Sequence, residues 1–224
     1  MFTIKFPNRM SDLHGVEFNR RAFILANGPS VAHEDLSKLK GELVIGMNAS
    51  TILERKFGFN QDYYVCSDER FLNHPEKRKW ATTELSKNTK RILRSELRRS
   101  DDPTFEDRTW YVPAISRDGF SERLDAGFFY GCTTTMLAIQ LAYHIGVSEV
   151  YLLGVDLRYS EDSPRFYAEK NAQLEDANTS IQIFNITNSA DYFRQKGGGL
   201  FNCSERSMLR PYVATKRFCE IFKG

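Results

Sequence analysis

Ala22-Phe23-Ile24-Leu25-Ala26-Asn27-Gly28-Pro29-Ser30 is an unbroken apolar run that ends in a turn cluster. A short continuous apolar stretch predicts a strand buried on both faces, as in a parallel sheet. Asn, Gly, Pro and Ser are turn residues, and together they end the strand. Val31 to Leu39 then reads as a short helix with Ser30 as its N-cap.

The same alternation continues outward. Leu43-Val44-Ile45-Gly46 is a second strand, followed by Asn48 and a helix to about Lys56. Asp62 to Cys66 is a third strand, ending at Ser67-Asp68. The stretch 72–108 is charged and reads as a partly helical insertion, with a strand at Lys90 to Leu93. Thr109 to Val112 is a strand closed by Pro113, and Ile115 to Ala126 reads as a surface loop. Thr133 to Ile145 is the clearest helix, entered from Gly131 and closed by Gly146. Glu149 to Asp156 is an apolar strand ending on a carboxylate, with a helix near Ser189 to Gln195 and a last strand at Leu200-Phe201-Asn202. Alternating strands and helices predict one α/β domain, Rossmann-like, with a mostly parallel sheet and helices on both faces.

Composition sets the outer limits. With 41% hydrophobic residues in 224, the chain has enough apolar surface for a full core. A net charge of +2 argues against duplex nucleic acid as a partner. Cys66, Cys132, Cys203 and Cys219 form no CxxC pair, so reduced thiols in a cytoplasmic protein are expected. No apolar run reaches the roughly 18 residues of a membrane span, and Met1 to Gly15 lacks the apolar core of a signal peptide. Peripheral membrane contact and homo-oligomerisation stay open.

In an open parallel sheet, ligands bind beyond the carboxyl ends of the strands. Asn27, Asn48, Ser67, Asp68, Asp156 and Asn202 all fall there. Asn27-Gly28-Pro29-Ser30 and Gly131-Cys132-Thr133-Thr134-Thr135 each open a helix, where backbone N–H groups accept an anion. Each also reads as an ordinary βα turn or N-cap. Arg158, Tyr159, Arg165 and Tyr167 follow Asp156 and are suited to a leaving phosphate. Of His14, His33, His74 and His144, His74 is the best placed for a general base, while His144 lies on the apolar helix as a structural residue. Asp101-Asp102 and Glu161-Asp162 read as loop acids, and no HExxH or DxD metal signature occurs. Lys90, Arg91, Arg94, Arg98 and Arg99 form a basic run that either attracts an anion or is a solvated face.

The segments Ala22 to Ser30, Gly46-Met47-Asn48, Asp62 to Asp68, Gly131 to Thr134, Glu149 to Asp156 and Leu200 to Ser204 resemble the 6-hydroxymethylpterin diphosphokinase-like (DUF115) family. They are also similar to the bacterial sialyltransferases that use CMP-sialic acid. That resemblance implies that Asn27, Gly28, Asn48, Thr133 and Thr134 contact a nucleotide-sugar, with Pro29, Ser30, Gly131, Asn202 and Ser204 completing the site. It implies that Tyr159 and Tyr167 assist departure of the phosphate. The sialyltransferases place a histidine base after the strand that ends on Asp156; this chain has no histidine after His144. Asp156, Asp68, His74, Tyr159 and Tyr167 are thus the candidate catalytic residues, with Asp68 or His74 as base.

Three functions are compatible with this reading. One is a glycosyltransferase moving sialic acid or Kdo from a CMP donor to a glycan, by single displacement and without a metal or other cofactor. A second is a pterin diphosphokinase with ATP and magnesium, Asp68 and Asp156 being its metal ligands. The third is a non-catalytic nucleotide-binding module.

Overall fold

The computed structural model describes residues 8–98, 108–159, 165–168 and 176–223. Asp101, Asp102, Glu161, Asp162 and Arg99 lie outside the described residues. The strands are β1 (Arg21–Leu25), β2 (Leu43–Met47), β3 (Tyr63–Cys66), β4 (Lys90–Arg94), β5 (Thr109–Val112), β6 (Ala114–Ile115), β7 (Phe128–Phe129), β8 (Glu149–Leu153) and β9 (Gly199–Asn202). The helices are α1 (Ser50–Phe57), α2 (Glu69–Asn73), α3 (Pro75–Ala81), α4 (Thr134–His144) and α5 (Thr179–Gln195). Seven strands form one parallel sheet in the order β5-β4-β3-β2-β1-β8-β9, and β6 pairs with β7 beside it. This is a Rossmann-like α/β fold.

The layering follows from the two-residue period of a strand. In β1, Ala22 and Ile24 face one core layer, while Phe23 and Leu25 face the other. In β3, Tyr63 and Val65 share the first layer, while Tyr64 and Cys66 pack with Phe71, Leu72 and Ala81 of α2 and α3. The first layer is closed by α4, every residue of which is buried, and by Ile186 and Phe193 of α5. Burial on every side explains why α4 reads as broadly apolar and not as a one-sided stripe. Leu53 of α1 and the turns carrying Val31, Leu36 and Leu39 close the opposite face. Helices therefore cover both faces of the sheet.

Some expectations change. The single helix over Val31 to Leu39 is two 3₁₀ turns, Pro29–His33 and Leu36–Leu39; the first is capped by Gly28, and Ser30 lies inside it. The loop from Ile115 to Ala126 is not superficial: Leu124 is fully buried, and Phe120 stacks on Tyr192. The helix near Ser189 starts ten residues earlier, at Thr179. Its inward face carries Gln182, Asn185 and Ser189, all buried, so apolar periodicity could not reveal it. The described part of the charged stretch 72–108 joins the sheet through β4. Its cations are committed to neighbours: Arg91 Nε donates to Thr109 Oγ1 at 3.0 Å, and Lys90, Arg94 and Arg98 lie over the rings of Tyr63, Tyr130 and Tyr111. Among the described residues of the run, Arg91 is buried and Arg98 stays exposed. Among the described residues, no helix is long and apolar enough to cross a membrane.

His144 closes the bottom of α4. Its Nδ1 accepts the Leu124 N–H at 3.1 Å, and its Nε2 lies 2.8 Å from the Met10 carbonyl. Burial lowers its pKa below the ordinary 6.5, because the charged ring would lose its hydration. The unfolded chain therefore takes up the proton first as pH falls. The stability this group contributes is complete above about pH 6.5 and is lost as pH falls through the lowered folded value. In urea melts, the wild-type midpoint should fall between neutral pH and mildly acidic pH. His144→Gln should be about 1–3 kcal/mol less stable at neutral pH, with a flatter pH dependence. Equal slopes in the two proteins would refute the assignment.

Candidate functional site

From β1 the chain proceeds to β2 on one side, whereas from β8 it proceeds to β9 on the other. The carboxyl ends of β1 and β8 therefore flank a topological switch point, where an open α/β sheet leaves a crevice. A cavity of about 320 Å³ opens there, at the lower end of the size of small-molecule sites.

The end of β1 supplies Asn27 and Gly28, and the end of β8 supplies Gly154 and Asp156. Asp156 is 4% exposed and acts as a clamp. Its Oδ2 accepts the Ser30 N–H at 2.9 Å, and its Oδ1 accepts the Ser30 hydroxyl at 2.5 Å. The Ser204 hydroxyl oxygen lies 2.9 Å from that of Ser30 and accepts the Gly154 N–H at 3.2 Å. Asn202 holds Ser204 in turn, through both backbone groups of that serine. Gly28 is required by this closeness: a Cβ there would lie 2.5 Å from both Asp156 Oδ2 and the Gly154 carbonyl oxygen.

The turn after β1, which its sequence reads as either a phosphate cradle or an ordinary βα turn, brings Asn27 and Gly28 to the cavity but not its last two residues. The Ser30 N–H is already taken by Asp156, and Pro29 and Ser30 do not line the cavity. Asn202 and Ser204 also lie behind the clamp and do not line it. Gly131 is likewise outside the lining; at φ +52°, and with Met136 Cγ 2.7 Å from where a Cβ would be, it shapes the entry to α4.

The helix N-terminus that faces the cavity is that of α4. Thr133 caps it, its Oγ1 accepting the Thr135 N–H at 3.2 Å, and Thr133, Thr134 and Thr135 all line the cavity. A helix N-terminus with its dipole favours a negative ligand there. Thr134 Oγ1 lies 2.8 Å from Ser67 Oγ, which ties the end of β3 to this entry. Asn48 lines the cavity in the left-handed region, at φ +51°, and its carbonyl accepts the Tyr64 hydroxyl at 2.9 Å. Among the described residues five non-glycine positions have positive φ, and three of them, Asn48, Cys132 and Leu157, line the cavity. Such backbone is costly and concentrates at functional sites. The amide oxygens of Asn27 and Asn48 are buried with no hydrogen-bond partner among the described residues.

Asp68 lines the cavity as the N-cap of α2. Arg70 grips both its oxygens at 3.1 Å, and the Arg70 N–H adds a bond at 2.9 Å. His74 is exposed at the junction of α2 and α3 and does not line the cavity, so it is not placed as a base. Tyr159 and Tyr167 both line it, together with Arg158 and Arg165. The Arg165 guanidinium lies 4.9 Å from the Tyr159 ring centre, and Tyr167 packs edge-on to Trp80. The Phe166 N–H donates to the Asn27 carbonyl at 3.1 Å, docking this segment on the β1 turn. Burial pushes the Tyr159 hydroxyl up in pKa, keeping it a proton donor at neutral pH. Burial also raises the Cys132 thiol, which suits it poorly to nucleophilic attack.

Lys77, Tyr130, Asp176 and Gln182 were not foreseen as lining residues. Asp176 and Gln182 sit at the start of α5, whose polar inward face hides them from pattern reading. Among the described residues, no group of three or more His, Cys, Asp or Glu is arranged to hold a metal ion. Asp68 and Asp156, the magnesium ligands of the diphosphokinase alternative, are committed to Arg70 and Ser30. Among the described residues, these two carboxylates are not arranged to hold that metal.

Solved structures share the fold. The MAf glycosyltransferase of Magnetospirillum magneticum AMB-1 superposes with a TM-score of 0.59 and 16% identity, covering 93% of this chain and 37% of that one. This chain thus spans little more than a third of that protein's length. The sialyltransferase CstII of Campylobacter jejuni, in complex with a substrate analogue, cytidine-5′-monophosphate, superposes with a TM-score of 0.54 and 16% identity, covering 88% of this chain and 85% of that one. Neither a protein-family model nor a curated protein matches the sequence.

The clamp has a measurable worth. Asp156→Ala leaves the Ser30 N–H and hydroxyl without their acceptor and should cost about 1–3 kcal/mol in a urea melt. Ser30→Ala, which keeps the backbone bond, should cost less. A melt unchanged in Asp156→Ala would show that the carboxylate does not hold the two turns together.

Proposed function

We propose that the chain is a glycosyltransferase that binds a CMP-activated acidic sugar, of the sialic acid or Kdo type, and transfers it to a glycan hydroxyl. The carrying observation is the pair of buried, unpartnered amide oxygens of Asn27 and Asn48 on one cavity with the N-terminus of α4. The amide oxygens call for donors, which the amino group of a base or the hydroxyls of a ribose supply. The helix end calls for an anion, which the phosphate supplies. The fold shared with two glycosyltransferases, one of them in complex with cytidine-5′-monophosphate, supports the same reading.

The proposed reaction is a single displacement with inversion. The acceptor oxygen bonds to the anomeric carbon as the bond from that carbon to the phosphate oxygen breaks, and CMP departs with the electron pair. Charge growing on the phosphate would be met by the α4 end, by Arg158 and by the hydroxyls of Tyr159 and Tyr167, an electrostatic role fixed in place before the reaction starts. The proposal draws on no metal. Asp156 serves it by holding the donor-side turns in position. The diphosphokinase alternative is disfavoured by the engagement of Asp68 and Asp156.

Calorimetry with CMP, CMP-sialic acid and CMP-Kdo tests the binding, and release of CMP from the two sugar donors tests the reaction. Asn48→Ala should weaken CMP binding by about threefold to tenfold, the worth of one hydrogen bond. Failure of all three compounds to bind would sink the proposal.

A further inference from the structure

We propose that Asp176 is the general base of this site, taking the proton from the hydroxyl that attacks the sugar. This rests on the transferase reading above.

Three carboxylates are among the described residues that line the cavity: Asp68, Asp156 and Asp176. No histidine lines it. Asp68 is held on both oxygens by the Arg70 guanidinium and also accepts the Arg70 N–H. Asp156 is bound to Ser30 through both of its oxygens and holds the β1 turn. Neither can turn to a substrate without giving up a partner at short range.

Asp176 is held differently. Its Oδ1 accepts the Asn178 N–H at 2.9 Å, and its Oδ2 accepts Gln182 Nε2 at 2.8 Å. Gln182 is 2% exposed and also donates to the Cys132 carbonyl at 3.1 Å, so α5 fixes this carboxylate against the entry to α4. Among the described residues the remaining partner is the Tyr159 hydroxyl, 3.4 Å from Oδ2. That is longer than a good O–H···O bond by several tenths of an ångström. A substrate hydroxyl at ordinary distance would outcompete it.

The groups facing Asp176 are Tyr159, with Arg165 stacked on its ring, Cys132 and Arg70. Its charge acts on Tyr159, Cys132 and Arg70, which come from three different walls of the cavity. The negative field is therefore spread across the space the substrates would fill and is not absorbed by one bidentate cation. A carboxylate fixed by neutral donors, with one loosely used acceptor site toward the cavity, has the geometry that general-base catalysis requires.

The step balances simply. The acceptor hydroxyl loses its proton to Asp176 Oδ2 as its oxygen bonds to the anomeric carbon, CMP leaves with the phosphate-side electron pair, and Asp176 later returns the proton to solvent. Water takes the place of the acceptor when no glycan is present, so release of CMP reports the step either way.

The test compares wild type, Asp176→Asn and Asp176→Glu, using CMP-sialic acid and CMP-Kdo as donors. CMP release is followed against pH, CMP binding by calorimetry, and folding by thermal melting. Asp176→Asn should bind CMP as wild type does, release it about 10²- to 10⁴-fold more slowly, and lose the acidic limb of the kcat profile. Asp176→Glu should recover part of the rate with a displaced limb. Wild-type kcat and an intact acidic limb in Asp176→Asn would overturn the assignment. If Asp176→Asn melts early, Asp176→Glu decides: a lowered kcat with a displaced limb supports the base, and an unchanged profile overturns it. A wild-type protein that binds no CMP compound would instead remove the transferase reading itself, and this inference with it.

Discussion

Where the chain leaves β8 and where it leaves β1, two turns come close enough that a Cβ on Gly28 would strike both Asp156 and the Gly154 carbonyl. The Asp156 carboxylate is the tie between them, through the N–H and hydroxyl of Ser30. Ser204 and Asn202 back it from the end of β9. A buried carboxylate survives in such a place only when its oxygens are satisfied, and the donors here come from backbone and hydroxyl groups. The crevice at the switch point has its shape because this junction is closed from behind.

That closure separates two roles which look alike in a strand-end motif. The turn after β1 and the entry to α4 both follow the pattern of small and hydroxylated residues before a helix. In the first, the leading N–H is used by Asp156 within the fold. In the second, a threonine caps an eleven-residue helix whose first turn lines the cavity. An early N–H is already used at both turns, by Asp156 at Ser30 and by the Thr133 hydroxyl at Thr135; what differs is that the first turn of α4 lines the cavity while Pro29 and Ser30 do not.

The remaining walls are held by burial and by polar residues inside the core. Tyr64 fixes the left-handed Asn48 through its carbonyl, Ser67 meets Thr134, and Gln182 bridges Cys132 and Asp176. These contacts join β2, β3, α4 and α5 around a single space. Polar groups buried in this manner rigidify a site as long as each finds its partner. Asn27 and Asn48, whose amide oxygens do not, are the places where a ligand would complete the network.

The sheet was legible in the sequence because strands buried on both faces are short apolar runs, and Ala22 to Ala26, Leu43 to Gly46 and Val150 to Leu153 are such runs. The residues at their ends, Asn27, Asn48, Asp68 and Asp156, were legible for the same reason: a polar residue after an apolar run marks the sheet's carboxyl edge. Tyr159 and Tyr167 also lie on the cavity, as expected of them. The start of α5 was not legible, since its inward face is Gln182, Asn185 and Ser189, and with it Asp176 was missed. His74 stood at a suitable distance in sequence, but the break between α2 and α3 leaves it in solvent. Sequence by itself therefore determined the alternation of strands and helices and the edge at which a ligand would bind, because both depend on local hydrophobic pattern. Tertiary structure alone decided which polar groups are consumed by the fold and which face the cavity, because a donor's availability depends on partners more than a hundred residues away, as Ser30 and Asp156 are.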